Sequence, residues 1–258
     1  MTTISFQNVW KEYDGKVVLE KLSLEIAPHA FVAVVGPSGC GKTTFLRMLL
    51  SEEAPTRGRI LVDGAPLPRE PTVDRGVVFQ RYSVFPHLTV LENVILGKEF
   101  AGSKFLGALF GKAKRKASEE AAALLDEVGL TAASAKYPAQ LSGGMQQRLA
   151  LAQALITRPK ILLLDEPFGA LDPGIKADIH ELMLRLWKEC QMTVVMVTHD
   201  LSEAFRLGTR VLTFERKPNS ELEPDRFGAT VTRDLDVWPP KLAPWNTGAP
   251  RKGARTSS

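Results

Sequence analysis

At 258 residues, with 44% apolar and 24% charged side chains, the chain has the size of one large globular domain, or one domain with a small subdomain. That composition excludes collagen, coiled coil and bulk disorder, and two cysteines, Cys40 and Cys190, are too few for a disulfide framework and fit a reduced, cytosolic protein. The excess of 33 basic over 29 acidic residues equals the charge of Lys241, Arg251, Lys252 and Arg255 near the end, so everything before Pro239 is balanced, which argues against a nucleic-acid partner.

The opening MTTISFQNVWKEYDG lacks the basic-then-apolar order of a signal peptide. The longest apolar runs, Phe31–Val35 and Ile161–Leu164, fall far below the ~20 residues needed to cross a bilayer. The expectation is a chain that does not span a membrane by itself.

Short β-rich runs come first: Ile4–Val9, Lys16–Leu19, Leu22–Ile26 and Phe31–Val35. The last is continuously apolar and β-branched, as a strand buried on both faces is. It leads into Gly36-Pro37-Ser38-Gly39-Cys40-Gly41-Lys42-Thr43-Thr44, after which FLRMLL continues as a helix. Gly58–Val62 followed by Asp63-Gly64 reads as a strand and tight turn, and Gly76–Phe79 as a strand ending at Gln80. Leu88–Leu96 and Ser118–Val128 read as helices flanking a basic stretch. In it Lys98, Lys104, Lys112, Lys114, Arg115 and Lys116 are opposed only by Glu99. Two readings of that stretch stand side by side: a solvated surface, or contact with acidic lipid headgroups or a partner's acidic face.

Ser142 can cap a helix running through Gln153 to Thr157, stopped before Pro159. Ile161–Leu164 is a second buried strand, closing on Asp165-Glu166-Pro167. A helix from Pro173 to Glu189 precedes the strand Thr193–Thr198; a helix from Leu201 and a strand near Arg210–Phe214 follow. Strands alternating with helices predict an α/β fold with a parallel sheet covered on both faces. The helical stretch over about 90–158 interrupts the alternation and predicts an inserted helical subdomain, all within one domain over 1–235. Residues 236–258, rich in Pro, Gly and Ser with scattered positive charge, read as a disordered basic tail.

Gly36 to Thr43 fits G-x-x-x-x-G-K-[ST], with a strand before it and a helix after it. Glycines let the backbone curl so that successive N–H groups point at phosphate oxygens, and the helix beginning near Lys42 adds its positive dipole end. Lys42 can reach the β- and γ-phosphates, and Thr43 offers a hydroxyl to Mg²⁺. Asp165 and Glu166 emerge at the C-terminal edge of a strand, where open α/β sheets bind ligands. Asp165 fits the holding of Mg²⁺ through water, and Glu166 a general base toward water. The loop alone implies nucleotide binding and leaves kinase, GTPase, helicase and transporter open. Cys40 fills a free position of the loop; a helix N-terminus lowers thiol pKa, which predicts sensitivity to thiol reagents. His29, His87 and His180 lack metal-ligand spacing and read as structural or exposed.

Leu141 to Arg148, LSGGMQQR, lies about twenty residues before ILLLDEP and resembles the signature motif of ATP-binding cassette (ABC) proteins. Tyr13 stands where the family stacks an aromatic ring on adenine, and Gln80 where its glutamine senses Mg²⁺ and the attacking water. Gly169-Ala170-Leu171-Asp172 resembles the loop joining two active sites, and His199 the switch histidine at the γ-phosphate. The resemblance covers Ile4 to Phe214. It implies a P-loop NTPase core with a parallel sheet, an N-terminal antiparallel β-subdomain and the inserted helical subdomain. It implies ATP and Mg²⁺, with Glu166, His199, Gln80 and Lys42 catalytic and Thr43, Gln80 and Asp165 around the metal. Tyr13, Gly36 to Thr44, Ser142, Gly143, Gly144, Gln146 and Asp172 would bind nucleotide.

Ser142-Gly143-Gly144 opens a helix, so free N–H groups and a dipole again face outward. One chain has no need of two such surfaces for one ATP. The resemblance implies that two copies, or this chain and a similar cassette, pack head to tail, each signature capping the nucleotide of the other. Two tasks fit such an ATPase: powering a membrane transporter, or acting as an ATP-gated clamp on DNA or ribosomes. Clamps of this superfamily usually carry long coiled coils or two cassettes, and neither is in this sequence. Without a fused membrane domain the chain resembles bacterial importer subunits. Such subunits sit at the cytoplasmic face of the inner membrane beside an integral permease, served indirectly by a substrate-binding protein. RYSVFPHLTVLENV after Gln80 is similar to the importer segment that grips a permease helix, with Tyr82, Phe85 and Pro86 as an apolar socket; ordinary subdomain core is the competing reading. PAQLSGGMQQRLALAQAL with LLLDEPFGALDP resembles the nitrate, sulfonate, taurine and bicarbonate group. The basic insertion and FGATVTRDLDVWP are similar to members tied to urea or guanidine metabolism.

Overall fold

The computed structural model describes residues 2–80, 84–102, 111–216 and 227–237. Two long strands, β1 (Ile4–Tyr13) and β2 (Lys16–Ile26), form an antiparallel hairpin around Asp14-Gly15, both with positive φ. That pair of left-handed residues is what a two-residue turn matched to strand twist demands. The runs Lys16–Leu19 and Leu22–Ile26 are therefore one strand, interrupted only by irregular pairing near Lys21, whose φ is 47°. β3 (Phe31–Val35) is buried at every residue, and β4 (Arg57–Val62) and the short β5 (Ala65–Pro66) turn at Asp63-Gly64 as expected.

After β6 (Arg75–Val78) come α2 (Val90–Gly102), α3 (Gly111–Glu127), two short 3₁₀ turns and α4 (Gly143–Leu155), which make up the inserted helical layer. Then β7 (Ile161–Asp165), α5 (Pro173–Cys190), β8 (Thr193–Val197), α6 (Leu201–Leu207), β9 (Arg210–Arg216) and β10 (Ala229–Asp236) follow. α3 starts at Gly111, earlier than the expected Ser118, so Lys112, Lys114, Arg115 and Lys116 lie on a helix. Lys and Arg are good helix formers, and Arg115 pairs with Glu119 at 3.0 Å, one turn on. Lys98 and Lys116 both pair with Glu120, so the stretch is less unbalanced than its sequence suggests.

Among the described residues ten strands share one sheet, in the order β5-β4-β1-β2-β10-β9-β3-β8-β7-β6. β6, β7, β8, β3 and β9 pair in parallel, and the N-terminal strands pair antiparallel. The expected parallel core and antiparallel subdomain are thus both present. Their join is β10, a strand that the sequence pattern does not predict. It runs antiparallel to β9 and meets β2 at Ala229 opposite Leu19. Its polar, half-exposed sequence carries little apolar signal, and Asp234 holds it by a two-pronged pair with Arg210 at 2.7 and 2.6 Å.

Alternate residues of β3 face two cores. Phe31, Ala33 and Val35 pack with the helical layer, while Val32 and Val34 pack with Phe45, Phe214 and the N-terminal strands. The strand ends are thereby locked from both sides, and the loops leaving them inherit that rigidity. No helix among the described residues is long and apolar enough to cross a membrane. The predicted tail falls largely outside the described residues, as do Lys104 and Tyr82.

Candidate nucleotide site

The phosphate loop leaves β3 at Gly36 and enters α1 (Lys42–Leu49) at Gly41. A Cβ on Gly36 would stand 2.3 Å from the carbonyl oxygen of Phe214, so the loop hugs β9 too closely for any side chain. Gly41, with φ of 94°, is the left-handed residue that turns the loop into the helix. Lys42 is 6% exposed; its Nζ donates to the carbonyls of Gly36 at 2.7 Å and Pro37 at 3.0 Å. The ammonium is held inside the curl. Arg216, from β9, donates to the carbonyl of Gly39 at 2.9 Å and steadies the loop's apex.

Cys40 is buried, and burial pushes its thiol up in spite of nearby Lys42. Burial argues against the expected thiol sensitivity. The helix-terminus effect is present, but desolvation of the thiolate is larger, and the sulfur faces the core beneath the loop.

Three carboxyl-terminal strand ends converge beyond the loop. Asp165, the last residue of β7, lies beside Thr43; burial, then the charge of Glu166, holds its carboxyl above the usual carboxylate range. Glu166 has a φ of 45°, a conformation unusual for a residue with a side chain, and its N–H donates to the carbonyl of Val197 at 2.9 Å. That twist turns Oε2 toward Gln80, after β6, and His199, after β8. The Gln80 Nε2 lies 3.4 Å away and His199 Nδ1 lies 3.2 Å away. Residues separated by 86 positions in sequence meet on one oxygen. Tyr13, 40% exposed, hydrogen-bonds Glu53 and lies near Thr44 at the loop's rim, with Lys11 Nζ 4.8 Å from the ring centre.

The signature stands apart. Ser142 caps α4, its Oγ accepting the N–H of Met145 at 3.4 Å. A Cβ on Gly143 would meet nothing closer than 3.7 Å, whereas one on Gly144 would lie 2.5 Å from Cγ2 of Ile175. Gln146 donates to the carbonyl of Pro138 at 3.0 Å, so one of its two amide N–H groups is engaged within its own chain. Asp172 begins α5 without a side-chain cap bond. Among the described residues, no hydrogen bond or ion pair joins Ser142, Gly143, Gly144 or Asp172 to the phosphate loop.

Residues 19–169 match the family described as ABC transporter. The dimeric structure of MJ0796, a bacterial ABC transporter cassette, superposes with a TM-score of 0.72 at 34% identity, covering 91% of this chain and 98% of that one. This chain belongs to the ABC transporter family. A post-hydrolysis state of the MJ0796 cassette, dimeric and bound to ADP and Pi, matches at 32% identity with a TM-score of 0.71. Among named relatives, the aliphatic sulfonates import ATP-binding proteins of Burkholderia cenocepacia (strain HI2424) and Burkholderia ambifaria are 42% and 43% identical over 213 residues, 83% of this chain. The chain spans about three fifths of their length, 61% of each.

Several residues of this ABC cassette that shape the site carry no motif signal. Asn93, fully buried on α2, accepts the N–H of Phe85 at 2.7 Å and donates to the carbonyls of Phe85, Leu88 and Thr89, pinning the segment that follows Gln80. Arg75 donates to the carbonyl of Leu49 and to Ser51, both at 2.7 Å, anchoring the end of the phosphate-loop helix. A lone Asn in a helix and a lone Arg opening a strand look like surface residues in sequence. Only burial marks them.

Proposed function

We propose that this chain is the ATP-hydrolysing subunit of a solute importer, working as a dimer of cassettes at the cytoplasmic face of the inner membrane beside a separate permease. The observation that carries the chemistry is the meeting of Gln80 and His199 on one oxygen of Glu166, at the mouth of a preformed phosphate loop. Glu166 takes a proton from water, the water oxygen bonds to the γ-phosphorus, and the bond to ADP breaks. Gln80 and His199 hold the carboxylate and the water in line. Lys42 exchanges its two loop carbonyls for phosphate oxygens, so binding replaces one set of charge-assisted contacts by a stronger one.

The residues also fit Mg²⁺. Thr43 and Asp165 are neighbouring oxygen ligands, and a cation would offset the burial that raises the Asp165 carboxyl. Bound with ATP, the ion supplies charge neutralisation on the β- and γ-phosphates. Tyr13 supports a role under adenine, and Ser142, Gly143 and Gly144 support capping of a nucleotide held by a second copy. The outward, unlinked signature and the dimeric MJ0796 cassette both favour that reading.

The solute we propose is an aliphatic sulfonate, on the names of the relatives in Burkholderia. The nearby urea or guanidine reading has no support beyond the likeness of the basic insertion and the C-terminal segment. Disrupting the gene is expected to abolish growth on an aliphatic sulfonate as sulfur source and to spare growth on sulfate. Normal sulfonate growth, or loss of urea or guanidine use in its place, overturns the assignment. For the enzyme itself, phosphate release is expected to rise more steeply than linearly with protein concentration, because each site needs a second copy. Strict proportionality down to dilute monomer refutes the shared site.

A further inference from the structure

Glu203, on α6, is a charged residue only 3% exposed, and both of its carboxylate oxygens are used. Oε1 accepts from Lys176 Nζ at 2.8 Å and Oε2 accepts from the hydroxyl of Thr198, also at 2.8 Å. The Thr198 oxygen in turn accepts the N–H of Asp200 at 3.0 Å, and Lys176 Nζ comes within 3.9 Å of the Asp200 carboxylate. The residues on either side of His199 are thus held on one buried carboxylate. The side chain of His199 itself is 62% exposed, so its placement comes from this backbone clamp and not from packing of the ring.

The other end of the ion pair reaches toward the signature. Lys176 lies on the first turn of α5, next to Ile175, against which Gly144 has no room even for a methyl group. A shift of α4 at Gly144 therefore has to move that first turn, and with it Lys176. A buried ion pair is weak as a source of stability, because desolvation offsets the attraction; a geometric role explains its presence better.

We propose that Lys176 and Glu203 are positioning residues for His199, and that through them the place of this histidine follows the signature helix of its own chain. The inference rests on the reading that Glu166 and His199 serve ATP hydrolysis. It links the half-site a copy offers its partner to the switch residue of the half-site it keeps.

The test uses Lys176→Met/Glu203→Leu, which exchanges the ion pair for apolar side chains, a change that buried pairs often tolerate without loss of fold. The expected result is a kcat lower by on the order of 10- to 100-fold with KM for ATP within about twofold. Lys176→Arg, which still pairs with a carboxylate, is expected to keep wild-type turnover. Independently of turnover, histidine-ring NMR of the full chain is expected to show the His199 resonances moved in the double variant, with those of His29 and His87 in place. If the double variant does not fold, Glu203→Gln keeps the shape and loses the ion pair, with the same expected shifts. Wild-type kcat or unmoved His199 resonances in the folded variant overturn the inference. A wild-type protein without ATP turnover refutes the enzyme reading instead, and the ring resonances then decide positioning alone.

Discussion

The phosphate loop and the signature turn are both glycine-bearing starts of helices, yet the chain builds them differently. The loop is bound into its own chain at every level. Lys42 is folded onto loop carbonyls, Arg216 holds Gly39, and Thr43 meets Asp165. The signature is fixed from behind, by the cap at Ser142 and the close packing of Gly144 on Ile175, and among the described residues no hydrogen bond or ion pair joins its front to the loop. A helix N-terminus that is rigid but unspent is an anion site waiting for a ligand from elsewhere. On the proposed reading, this fold holds one complete phosphate cradle and offers a second surface to another copy.

The largest expected effect falls on the complete half. Glu166→Gln keeps the shape of the side chain and removes its basicity, so kcat is expected to fall by about 10²- to 10⁴-fold while ATP still binds. Phosphate release with light scattering checks both parts: turnover lost, and an ATP-bound dimer accumulating. Normal hydrolysis by this variant would remove Glu166 from its role. On the donated half, Gly144→Ala places a methyl group 2.5 Å from Ile175 and tilts α4. Turnover is expected to drop by about tenfold or more, with nucleotide affinity of the monomer unchanged. If affinity falls in step with turnover, the two halves are not separate.

A smaller effect tests the α5 floor between the halves. His180 is buried edge-on to Phe168, with neither ring nitrogen hydrogen-bonded to protein, and burial pushes its pKa down to about 4. The folded chain then refuses a proton that the unfolded chain accepts below its ordinary value near 6.5. Stability is full above that value and falls as pH drops toward 4, by up to ~3 kcal/mol, levelling off below. Thermal unfolding across this window reads the slope, and His180→Phe is expected to flatten it. The smallest effect concerns the thiols. A maleimide is expected to label exposed Cys190, leave buried Cys40 intact in the native protein and spare ATPase activity. Mass spectrometry of the labelled protein locates the adduct, and early loss of activity with label on Cys40 contradicts the buried thiol.

Much of this was legible in the residues. Five apolar residues ending in glycine predicted β3 and its loop, and four apolar residues before Asp165-Glu166 predicted β7, because a strand buried on both faces has to be apolar throughout. The parallel order of the core, the cap at Ser142 and the turn at Asp63-Gly64 follow the same local rules. β10 was not legible, since its strand is held by neighbours and an ion pair more than by apolar content. At Cys40 a local rule about helix ends competes with burial, which local sequence does not report.

By itself, then, the sequence determined which residues could perform the chemistry: motif spacing sets the loop, the carboxylate pair and the glycine-led helix, and each depends on short-range backbone geometry. Only the tertiary structure decided which of them meet. Gln80, Glu166 and His199 come together because β6, β7 and β8 are adjacent and parallel, a pairing set by long-range packing. The same packing put Lys176 on Glu203 and left the signature facing outward, because burial and contact are properties of the assembled sheet and its helices, not of any segment within them.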